Sequence, residues 1–156
     1  MTIDNTSNQV LSTVLNNAQS RAAQNNLSYA GAVTPQEAYD LLQANTNAKL
    51  VDVRSRAELE LVGRVPSATS IEWAFYPGMV ANPDFAAQLT AQIDKSALVI
   101  FMCRTGGRSH NAAAVAVGLG YTQVYNMLEG FEGDANSLHQ RTMINGWKHA
   151  GLPWTN

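Results

Sequence analysis

Residues 97–119 read ALVIFMCRTGGRSHNAAAVAVGL, and three regimes follow one another inside them. Residues 97–102 are an unbroken apolar run, with the length and composition of a strand buried on both faces. Residues 103–108 pack one cysteine, two arginines and two glycines into a stretch without hydrophobic period. From Ser109 to Leu119 Ala and Val dominate, and Gly120 stops what the pattern predicts as a helix. Strand, short loop and helix form the repeating unit of an α/β sheet.

The same alternation runs outward in both directions. Upstream, Thr34-Pro35-Gln36-Glu37 combines an N-cap, a first-turn proline and a carboxylate that can reach back to the cap. The helix it opens is expected to run through about Leu42. KLVDV at 49–53 reads as a buried strand, and Ser55 with Glu58 opens a second capping box on a short helix ending near Gly63. Residues 68–73 read as a strand, 74–81 as irregular chain around Pro77-Gly78, and Asn82-Pro83 starts a helix through Phe85, Leu89 and Ile93. Downstream, 123–125 is expected to be the last strand and 136–150 a closing helix. The fold class is therefore α/β, a parallel sheet with helices on both faces. The first 28 residues are rich in Asn, Gln, Ser and Ala, and Val10, Leu11, Val14, Leu15, Ala18 and Ala22 recur at helical spacing. We divide the chain into an N-terminal helical extension, 1–30, and one domain, 31–156.

Composition narrows the function. Apolar residues make up 46% of the 156 and charged residues 14%, enough to bury a core. Ten basic and twelve acidic side chains leave a net charge of -2, which points away from nucleic acid and from anionic membrane as partners. MTIDNTSNQV has neither a basic nor an apolar leader region, and no apolar run spans a bilayer, so a cytoplasmic protein is expected. A single cysteine excludes an intrachain disulfide.

That cysteine ends the most apolar strand and opens the loop before a helix. In open α/β sheets ligands bind beyond the carboxyl ends of the strands, and a loop there can turn its N–H groups inward around an anion. Gly106 and Gly107 permit the backbone angles, the helix N-terminus adds partial positive charge, and Arg104 and Arg108 add full charges. Each favours thiolate over neutral thiol. An inert buried thiol would gain nothing from two flanking cations.

CRTGGRS, residues 103–109, resembles the active-site loop of the rhodanese domains, in which a cysteine opens a loop of six residues. LVDVR (50–54), GRVPSA (63–68), NMLEGFEG (126–133) and GWKHAGLPW (146–154) resemble the family's other blocks, in order and at similar spacing. The resemblance covers about residues 31–154. It implies a five-stranded parallel sheet and a sulfurtransferase in which Cys103 carries sulfur as a persulfide. It implies that Arg104, Thr105, Gly106, Gly107, Arg108 and Ser109 bind the substrate, and that Asp52 and Arg54 brace the loop as an ion pair. Where many family members have His, this chain has Arg64, which keeps a donor without titrating near neutrality; its expected part is limited to donor binding. The implied partners are a small sulfur-containing anion (thiosulfate in the best-known case), a thiol or cyanide acceptor, and a sulfur-carrier protein. No cofactor and no metal are expected.

Rival chemistries fit less well. A cysteine phosphatase needs Cys, five residues, then Arg; here Arg108 follows after four and Ser109 stands at the required position. Dithiol redox chemistry needs a second thiol. His110, His139 and His149 are scattered, without a second sulfur ligand for a metal. The non-enzymatic alternative is a rhodanese-like binding or sulfide-sensing module, which would keep the same loop. Trp73, Phe75 and Tyr76 are candidates for the pocket mouth, although such aromatics more often pack in cores.

Overall fold

The computed structural model describes residues 5–156, so the first four positions of the expected extension lie outside the described residues. Helix α1 (Asn5–Asn25) leads into strand β1 (Gly31–Val33), helix α2 (Pro35–Ala44), strand β2 (Ala48–Asp52) and helix α3 (Arg56–Val62). Three two-residue strands follow: β3 (Thr69–Ser70), β4 (Ala74–Phe75) and β5 (Val80–Ala81). Helix α4 (Phe85–Gln92), strand β6 (Leu98–Met102), helix α5 (Gly107–Gly118) and strand β7 (Gln123–Met127) complete the order.

Strands β1, β7, β6, β2 and β3 lie side by side in that order, every neighbouring pair parallel. This is the expected five-stranded parallel sheet. β6 lies at its centre, which is why all five of its residues are apolar and buried. Its side chains alternate between faces. Leu98, Ile100 and Met102 join a core with Ala38 and Leu41 of α2. Val99, Phe101 and then Cys103 join the opposite core, with Phe85 and Leu89 of α4 and Ala112, Ala113 and Ala116 of α5. Each fully buried Leu, Ile or Val side chain contributes about 2 kcal/mol.

Helix α1 packs on β1 and α2. Val14 and Ala18 belong to the core that α2 covers, so the helix is a layer of the domain rather than a tail. Arg21 fastens it, bonding Glu37 at 2.6 Å and the Ala32 carbonyl at 2.8 Å. Both expected capping boxes are present, at Thr34 and Ser55. Among the described residues no helix is long and apolar enough to cross a membrane.

Three expectations are corrected. Residues 136–150 form turns and bends, not a helix. The Asn136 side-chain oxygen takes the N–H groups of Leu138 and Gln140, which diverts the backbone at the start. His139 and Thr142 then adopt positive φ, which a right-handed helix excludes. Within 68–73 the strand is only Thr69–Ser70, although the Ile71 and Trp73 N–H groups still donate to the Asp52 and Val53 carbonyls, and the stretch read as irregular holds the antiparallel pair β4–β5. Helix α5 begins at Gly107, two residues before the expected Ser109.

Candidate active site

Cys103 follows the last residue of β6, and the chain must turn at once to start α5. Gly106 makes the turn, with φ 111° and ψ -7°, a left-handed conformation that favours glycine. In that conformation its N–H donates to Cys103 Sγ at 3.1 Å. The Ser109 hydroxyl, on the first turn of α5 and fully buried, donates to the same sulfur at 3.3 Å. Sγ is thus held by one loop amide and one hydroxyl, fewer amides than a fully encircled sulfur would have. Cys103 is 1% exposed.

Two supports hold the loop from behind. The Asn126 side chain, from β7, donates to the Gly106 carbonyl at 3.2 Å and pins the peptide that turns. The segment after β7 donates the Phe131 N–H to the Cys103 carbonyl at 2.9 Å and the Glu132 N–H to the Arg104 carbonyl at 3.0 Å. Phe131 in turn rests on Arg54, whose guanidinium carbon lies 4.1 Å from the ring centroid. Arg54 bonds Asp52 at 2.8 Å and the Gly63 carbonyl at 2.9 Å, and both charged side chains are 0% exposed. The expected Asp52–Arg54 pair is therefore formed, one ring away from the loop. Removing either partner would leave a buried charge alone, which costs about 3–5 kcal/mol.

The charges of the loop divide. Arg108 makes a two-pronged bond to Glu58, at 2.7 and 2.9 Å. Burial pushes the Glu58 carboxyl up, but bonds and charge from Arg108 and bonds from Ser55 outweigh it and hold it at about 2. The same pair raises the Arg108 guanidinium. Arg104 is exposed, and among the described residues its side chain has no ion-pair partner. Both arginines line a cavity of about 590 Å³, with Glu58, Glu132, Val62, Trp73, Ala74, Tyr76 and Met79. Thr105 is half-buried, and Gly107 is exposed with open space around it. Arg64 is placed elsewhere: its backbone bridges Thr155, and its side chain lines a separate cavity of about 430 Å³ with Arg56 and Glu72.

A profile of the Rhodanese-like domain matches residues 34–137. The chain belongs to the rhodanese-like family. An uncharacterized protein of Rickettsia conorii, RC0915, is 36% identical over 120 residues, covering 76% of this chain and 91% of its own. The thiosulfate sulfurtransferase GlpE of Actinobacillus succinogenes is 31% identical over 121 residues, 78% of this chain and 86% of that protein. Among solved structures, Rv0390 from M. tuberculosis superposes with a TM-score of 0.76 at 41% identity, covering 82% of this chain and 98% of that one.

In this rhodanese-like chain the sequence reading missed two residues at the site. Glu58 was legible only as a capping carboxylate; that it also reaches Arg108, 50 residues on, had no local signal. Asn126 stands in an otherwise apolar β7 interior, and a buried amide in a strand is itself a sign of a polar partner. Of the aromatics, Trp73 and Tyr76 line the cavity, whereas Phe75 lines the separate one. His110 is exposed and meets the Tyr29 hydroxyl at 2.7 Å.

Proposed function

We propose that the chain is a sulfurtransferase in which Cys103 carries sulfane sulfur as a persulfide. The observation that carries this reading is the pair of donors, Gly106 N–H and Ser109 Oγ–H, aimed at a thiol between a strand end and a helix start. Donors placed this way stabilise negative charge on the sulfur, first in the thiolate and then in the group that leaves. Thiolate Cys103 attacks the outer sulfur of a donor such as thiosulfate, and sulfite departs with the electron pair. A thiol, cyanide or the cysteine of a sulfur-carrier protein then removes the sulfur, regenerating the thiolate. Arg104, exposed at the cavity, guides the anionic donor. The work is proposed for the cytoplasm, where a lone thiol persists.

Purified protein given thiosulfate and cyanide is expected to form thiocyanate, and intact mass to show one added sulfur, both lost in Cys103→Ser. Absence of both products would overturn the reading. The closure of Cys103, at 1% exposure, favours a second reading, a module that senses sulfide or binds a partner without turnover. Sulfur uptake that is never passed to any acceptor would favour it.

A further inference from the structure

Cys103 does not itself line the cavity, but Arg104 and Arg108 of its loop do, so the charges and size of the cavity bear on a donor that approaches the loop. Its lining sets two arginines against two glutamates, and one arginine, Arg108, is already bonded through both prongs to Glu58. That pairing leaves Arg104 as the cation available to a ligand, with Glu132 on the same wall. A small dianion would meet a carboxylate for every guanidinium and would have to part Glu58 from Arg108 to be held twice. The rest of the wall is apolar. Trp73, Tyr76 and Met79 line it, and Tyr76 and Met79, 64% and 47% exposed, project at the β4–β5 hairpin. About 590 Å³ is room for an organic body, far more than five heavy atoms of thiosulfate need.

We infer that the preferred sulfur donor is an organic persulfide, with an apolar body and no more than one negative charge, and that thiosulfate is the poorer donor. This rests on the sulfurtransferase reading above and names its substrate. Cys103 thiolate attacks the terminal sulfur of R–S–SH; the Sγ–S bond forms and the donor's S–S bond breaks. R–S⁻ leaves with the electron pair, and the proton stays on the transferred sulfur until water removes it. No oxidant or reductant enters. The apolar body lies against Tyr76 and Met79, and Arg104 faces the charge that develops on R–S⁻ as it leaves.

The test follows single-turnover sulfur loading of Cys103 by intact mass, with benzyl persulfide generated in situ or with thiosulfate. Each rate is divided by that of a free cysteine thiol with the same donor, which removes intrinsic reactivity. The normalised rate is expected to be about tenfold higher for benzyl persulfide. Glu58→Gln is expected to raise thiosulfate loading several-fold, roughly the effect of removing one carboxylate from the cavity wall. Because that change also touches a helix cap, Tyr76→Ala/Met79→Ala serves as a surface variant, expected to cut persulfide loading more than thiosulfate loading. Equal or faster normalised loading by thiosulfate, or an unchanged donor ratio in Tyr76→Ala/Met79→Ala, would overturn the inference while leaving the transferase intact. No loading by either donor would sink both.

Discussion

At the scale of single residues, the sulfur depends on two hydrogen atoms. Ser109→Ala removes one of them without altering the backbone of α5. A hydrogen bond to a charged group contributes about 1.5–3 kcal/mol, so sulfur uptake should slow by about tenfold or more while the thermal melt stays close to wild type. An unchanged rate would mean that the Gly106 amide suffices. Glu58 offers a separate check. Its carboxyl sits at about 2 against an ordinary 4.5, a depressed value, so the stability it contributes is complete above pH 4.5. That contribution is lost as pH falls toward 2, and it is on the order of 2 kcal/mol after allowance for partial solvent screening. Urea titrations of wild type and Glu58→Gln at a series of pH values should therefore converge on acidification. A constant gap down to pH 3 would place the wild-type advantage in packing instead.

At the scale of elements, the β6–loop–α5 unit is not self-sufficient. The strand and helix are legible in the apolar run and the Ala-rich stretch, but the loop between them is held by the segment after β7. Gly130 shows how closely the two approach: a Cβ there would lie 2.3 Å from the Arg104 carbonyl oxygen. Gly130→Ala should push the loop off its Phe131 and Glu132 bonds, at about 1–3 kcal/mol in stability. Its larger effect should fall on sulfur loading, followed by intact mass. Loading at the wild-type rate would show that the loop keeps its shape alone. The tail of the chain teaches the opposite lesson about local reading. Residues 136–150 read as a closing helix, yet one side chain, Asn136, accepts two backbone N–H groups and turns the chain aside.

At the scale of the whole molecule, the site lies at one end of a sheet whose other obligations are met far away. Helix α1 closes the core at the β1 edge, and none of its described residues lines the cavity over the loop. Ala18 on that helix is fully buried. Ala18→Leu should cost about 1–3 kcal/mol by overpacking, read as a lower urea midpoint, with Cys103 loading preserved in the folded protein. A fall in loading at unchanged stability would reveal a coupling between the two ends. Taken alone, the order of residues determined the α/β class, both capping boxes, and the place of Cys103 and its Gly-Arg loop between a strand and a helix. Those depend on periodicity, side-chain reach over three or four residues, and the abrupt end of an apolar strand, all local quantities. Only the tertiary structure decided that Arg108 is bonded to Glu58, that Arg64 faces another cavity, and that Asn126 pins the turn. Such pairings join residues 20 to 50 positions apart, and a distance along the chain carries no direction in space until the sheet has set it.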